Sequence, residues 1–97
     1  MKIFKEHLLH TIELCHDELI KRKNGISGES TEEQLERIIL PELERLLKMI
    51  DDNTLPKMEQ RYLVSFANAF TVWGWDMQNP TEIFILLTKL NNDYRRL

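Results

Sequence analysis

The apolar residues of this chain recur at steps of three and four almost from end to end, and that spacing restricts the fold more than any other feature. Phe4, Leu8, Ile12, Cys15 and Leu19 form one stripe. Leu35, Ile38, Ile39, Leu43, Leu46, Leu47 and Ile50 form a second, and Ile83, Leu86, Leu87, Leu90, Tyr94 and Leu97 another. Steps of three and four put side chains on one face of an α-helix, and no stretch alternates for long with the period of two that a strand requires. The spacing predicts an all-α chain.

Local signals set the expected boundaries. A first helix runs from about residue 2 to 24, with Lys21, Arg22 and Lys23 at the negative end of its dipole and Asn24-Gly25 as the left-handed stop. A second covers about 31 to 51. Its start is marked by Thr31 with Gln34, or Ser30 with Glu33, either of which matches a capping box. Pro41 falls inside this helix and has no N–H to give the Arg37 carbonyl, so the helix is expected to be kinked or split there. Because Pro41 lies on the polar side with Arg37, Glu44 and Lys48, the freed carbonyl can reach water, which a kinked but continuous helix requires.

A third helix is expected over about 56 to 73, opening at Pro56. Its apolar face would comprise Met58, Tyr62, Leu63, Phe66, Ala67, Phe70 and Trp73, opposite Arg61, Ser65, Asn68 and Thr71. The fourth covers about 80 to 95, with Asn79 as cap and Pro80 in the first turn. Four amphipathic helices with short connections bury their stripes most simply by packing antiparallel to their sequence neighbours. The expected fold is a single-domain antiparallel four-helix bundle, or a closely related orthogonal helical domain, spanning residues 1–97.

Composition narrows the function classes. The formal charge is −3, from 13 basic and 16 acidic side chains, and this argues against nucleic acid as the default ligand. The basic clusters Lys21-Arg22-Lys23 and Arg95-Arg96 lie at helix ends, where the dipole accounts for them. With Cys15 alone no intramolecular disulfide forms, which fits a reducing compartment. The first residues lack an unbroken apolar core and a small-residue cleavage site, and no apolar run is long enough to cross a bilayer. A cytoplasmic protein without a membrane role is expected.

Chemistry-bearing constellations are sparse. His7, His10, Cys15 and His16 cluster in sequence, but a straight helix turns them to different sides and they cannot converge on one ion. Glu13 to His16 has the Glu-x-x-His spacing of carboxylate-bridged di-iron bundles, yet no second copy exists to complete such a site. Cys15 sits in the apolar stripe as a core thiol, and three glycines supply no phosphate-binding loop. No catalytic residue, metal or cofactor is assigned, and the chain is expected not to be an enzyme.

Protein binding is the expected role. Six glutamates gather around the second helix: Glu29, Glu32, Glu33, Glu36, Glu42 and Glu44. Trp75, Asp76 and Met77 occupy the loop that follows Gly74, and Ile3, Leu14, Val64 and Ile85 fall off their stripes. Trp75 has two readings: a ring folded back over the helix ends with its N–H on a loop carbonyl, or an exposed anchor for a partner. Glu32, Glu33 and Glu36 with Trp75, Asp76 and Met77 make the candidate partner-binding set. The partner would be another protein with a basic surface. Small acidic inhibitors that give immunity to bacterial toxins are similar to this chain in size, charge sign and helix content. The competing expectation is a small helical regulator that binds nucleic acid.

Overall fold

A computed structural model describes all residues from Met1 to Leu97 and contains only helices and connecting segments. Helix α1 is Lys2–Lys23. Helix α2 is built from three consecutive pieces: an α-helical turn Glu32–Gln34, a π-helical segment Leu35–Ile39, and an α-helix Leu40–Asp52. A short 3-10 turn at Met58–Gln60 precedes helix α3, Val64–Thr71, and helix α4 is Glu82–Tyr94. The all-helical bundle expected from the apolar spacing is the fold observed.

Helix α1 is the central element, packed against both α2 and α4, with α3 against α4. Its pairing with α2 is antiparallel, as Lys5 meets Asp51 at 2.6 Å, His16 meets Glu44 at 3.3 Å and Lys23 meets Glu36 at 3.2 Å. With α4 it is antiparallel too, since the Phe4 ring lies 6.3 Å from that of Tyr94 at one end and Leu14 and Ile83 line the same cleft at the other. The buried apolar side chains form one cluster, in which Leu8, Cys15, Leu35, Ile39, Leu43 and Leu87 are fully enclosed.

The local signals at the first two helices act as expected. Gly25 takes φ +83°, and the N–H groups of Gly25 and Ile26 donate to the Arg22 and Lys21 carbonyls, closing α1 in a Schellman turn. Thr31 and Gln34 form the reciprocal capping box, each side chain accepting the other's backbone N–H at 3.0 Å. Asn53, at φ 57°, closes α2 in the same left-handed manner as Gly25.

Pro41 does not split α2. Helical geometry continues through it, and the strain is taken up one turn earlier, where the Leu40 N–H reaches back five residues to the Leu35 carbonyl. A π turn carries one extra residue, which widens the backbone where a proline ring would otherwise press on the carbonyl four residues before it.

The third helix departs most from expectation. It begins eight residues later than the start predicted at Pro56, and its buried side chains are Ser65 and Ala69. Met58 and Tyr62 are exposed and precede the helix, and Phe70 is 51% exposed on it. The cause is a cap supplied from elsewhere in the fold. The Glu42 carboxylate accepts the N–H of Val64 at 2.6 Å and of Ser65 at 2.8 Å, while Asn91 Oδ1 accepts that of Leu63 at 2.8 Å. These bonds fix both the start of α3 and its rotation. Arg61 holds the preceding segment through the Pro56 carbonyl at 2.8 Å and also donates to the Leu97 carbonyl. The start of α4 is likewise displaced: Thr81, not Asn79, is the cap, accepting the Phe84 N–H at 3.3 Å.

Candidate functional site

The acidic residues of the sequence divide into those the fold consumes and those it leaves outward. Glu42 caps α3, and Glu44 pairs with His16. Glu29 Oε2 accepts the Asp76 N–H at 2.8 Å, fastening the loop after α3 to the segment that leads into α2. Glu36 pairs with Lys23 across α1 and α2 at 3.2 Å, though both side chains stay half exposed. Glu32 and Glu33 stand in the first turn of α2, exposed and without an ion-pair partner, where the helix dipole favours them. Together with Arg37, the three glutamates Glu32, Glu33 and Glu36 line a shallow depression of about 280 Å³.

The second half of the candidate set is the loop after α3. Gly74 takes φ +64°, as a helix stop requires, and the Trp75 N–H then returns to the Ala69 carbonyl at 3.0 Å. Asp76 turns the chain again, its Oδ1 accepting the N–H groups of Gln78 at 2.9 Å and Asn79 at 3.2 Å. The bond from Asp76 to Glu29 therefore joins this loop to a position only three residues before Glu32. The end of the molecule where α2 begins, referred to below as the acidic end, carries Glu29, Glu32, Glu33 and Glu36 together with the cations Lys23 and Arg37.

Trp75 is not an exposed anchor. It is 4% exposed, with its ring 5.5 Å from Trp73 and edge-on to Phe84 at the same separation. It caps the core, as the first of its two readings supposed, but its indole nitrogen makes no hydrogen bond to a loop carbonyl. Aromatic packing holds the ring. Met77 is the apolar side chain that this loop presents, at 59% exposure.

Behind the acidic end lies a polar cleft of about 190 Å³ between α1, the Gly28–Ser30 segment and the start of α4. The Arg22 side chain, 8% exposed, forms one wall. Its Nε donates to the Ser30 carbonyl at 2.6 Å, and its Nη2 to Glu18 at 3.0 Å and Ser30 Oγ at 3.2 Å. Hydrogen bonding to Lys21, reinforced by Arg22, holds the Glu18 carboxyl below the usual carboxylate range. The cleft is a brace whose cation is already satisfied by its neighbours.

The histidine and cysteine cluster of α1 is dispersed. Cys15 is buried, and that burial, with Glu18 nearby, pushes its thiol up to about 12. His16 faces Glu44, and His10 is exposed. No three His, Cys, Asp or Glu side chains converge in a way that could hold a metal ion.

One feature escaped the sequence reading. Between α3 and α4 runs an open apolar groove of about 320 Å³, with Phe66, Phe84 and Thr88 along it, Phe70 and Ile85 on its edges, and Met77 and Pro80 at one end. The signal for it was present: Tyr62 to Trp75 is a run without a single Asp, Glu, Lys, Arg or His. Helical spacing assigned Phe70 to the core, and the groove exists because Glu42 rotates it out.

Comparison of the chain with protein-family models, with curated proteins and with solved structures gives no match to any of them.

Proposed function

We propose that this protein is a non-catalytic binder that occludes a basic surface on another protein, in the manner of an immunity-type inhibitor of a toxin. The observation that carries this reading is the acidic end. Glu32 and Glu33 are exposed and unpaired, and Glu36 stays half exposed beside them in its pair with Lys23. Side chains that already cap or pair do little for a partner, whereas unpaired carboxylates on a rigid helix start attract one. Electrostatic attraction of this kind raises association rates and is screened by salt. Met77 supplies an apolar contact next to Asp76.

Capture of partners from an extract of the source cells by the immobilised chain tests the reading. A basic protein should be retained at low salt, released by about 0.5 M salt, and lost when Glu32, Glu33 and Glu36 are all changed to Lys. Retention of nucleic acid, or of the chain itself on heparin, would instead favour the helical regulator. Equal capture by the wild type and the triple variant removes the acidic end from the proposal.

A further inference from the structure

We propose that Val64–Pro80, comprising α3 and the loop after it, is a strap that opens as one unit while α1, α2 and α4 stay packed. This inference is independent of the acidic end. Its first support is burial. Within these residues only Ser65, Ala69 and Trp75 are buried. On α3 itself the two buried side chains are small, while Phe70 stands 51% exposed. By contrast α1 buries Phe4, Leu8, Thr11 and Cys15, and α4 buries Ile83, Phe84, Leu87 and Leu90. Native proteins open first where the fewest apolar side chains are buried.

The second support is attachment. Helix α3 has eight residues, and an isolated helix shorter than about 12–15 residues is marginal in water. Neighbours therefore hold it. The Glu42 carboxylate binds its start, Glu29 takes the Asp76 N–H beyond its end at 2.8 Å, and the Phe84 ring lies 6.4 Å from Phe66 and 5.5 Å from Trp75. A helix this short does not outlast the loss of its cap, so these ties are released together. The flanks stay fixed. Arg61 donates to the Pro56 and Leu97 carbonyls, the Leu63 N–H is held by Asn91, and Thr81 caps α4. Helix α4 keeps its packing on α1 when the strap leaves.

The third support is polar. Ser65 Oγ and Trp75 Nε1 are buried and find no hydrogen-bonding partner in the fold. The buried Glu29 Oε1, on the carboxylate that ties the strap down, finds none either. Water satisfies all three once the strap opens, so the closed form carries a cost that opening relieves.

Native-state hydrogen exchange of the full chain tests the proposal. The Ala67 and Trp75 N–H groups donate within the strap, to Leu63 and Ala69, and lie near its two ends. They should show one common opening, populated at least about 100-fold more than the opening that exposes the middle of α1. Two variants separate the strap from the rest. Ser65→Ala removes the orphan hydroxyl and should slow exchange at Ala67 and Trp75 at least about three-fold. Leu8→Val trims a fully buried side chain on α1 and should speed exchange in α1 by about 3- to 10-fold, leaving Ala67 and Trp75 unchanged. If Leu8→Val speeds the strap amides as much as those of α1, the strap opens only with the whole fold and the proposal is overturned. Different openings at Ala67 and Trp75 overturn it too, because the segment then frays piecemeal.

Discussion

The Glu42 carboxylate caps a helix that begins at Val64, 22 residues further along the chain, with Oε2 at 2.6 Å from the Val64 nitrogen. Its other oxygen takes the Ser65 N–H at 2.8 Å, so one side chain satisfies two N–H groups that α3 has no local residue to accept. The Glu42→Ala variant should lose about 0.5–2 kcal/mol of stability, the usual cost of removing a helix N-terminal cap, because the exposed Val64 N–H can turn to water. Hydrogen exchange at Val64 and Ser65 should accelerate while exchange in the middle of α1 follows only the global loss. Equal effects throughout would mean that Glu42 acts on the whole bundle and not on α3.

Gly28 is required by contact, not by backbone angle. A Cβ placed there would lie 2.0 Å from Arg22 Nη2 and 2.4 Å from its guanidinium carbon. Gly28→Ala should therefore swing the flexible guanidinium away from Ser30 and Glu18, at the cost of those hydrogen bonds, about 0.5–1.5 kcal/mol. Gly25→Ala makes a useful contrast. Nothing lies within 4 Å of its added Cβ, but φ is +83°, so its cost should be the conformational one of about 1–2 kcal/mol. Adding Arg22→Ala should relieve the Gly28 penalty in a double-mutant cycle and leave that of Gly25 unchanged.

Cys15 should be inert in the folded protein. With its thiol pushed from 9.0 to about 12, the thiolate fraction near neutral pH is lower by about a thousand-fold than for an exposed cysteine. Alkylation should then proceed only through unfolding and track denaturant concentration. The same shift links stability to pH. Between pH 9 and 12 the unfolded thiol ionises while the folded one keeps its proton, so the folded state binds more protons and stability falls as pH rises. The full effect is about 4 kcal/mol, and it is absent below pH 9. Comparing alkaline denaturation of the wild type with Cys15→Ala isolates it from other titrating groups.

The legibility of this chain follows the range of its signals. Helices α1 and α2 were readable because their stops and starts are local: Gly25 after the Lys21–Lys23 turn, Thr31 with Gln34, and the unbroken apolar steps between. Gly74 was readable for the same reason. Helix α3 was not, because its start depends on Glu42 and Asn91, side chains on two other helices. Spacing alone extended it back to Pro56 and turned Phe70 inward. Asn79 and Thr81 both suit a cap; Thr81 takes the role, its Oγ1 accepting the Phe84 N–H, while Asn79 belongs to the turn that Asp76 makes. At the candidate site, Glu32, Glu33 and Met77 could be placed on the surface from sequence, whereas the docking of Asp76 onto Glu29 and the burial of Trp75 depend on tertiary contacts.

The most direct test of the acidic end is the association rate between this protein and the basic partner that it captures, measured at about 50 mM and 500 mM salt. For the wild type, the rate should fall by at least about ten-fold across that range, as steering by charge requires. The variant with Glu32, Glu33 and Glu36 changed to Lys should associate slowly at both salt concentrations while keeping its helical spectrum and melting as one unit. A variant that binds as fast as the wild type, with the same dependence on salt, would contradict the account.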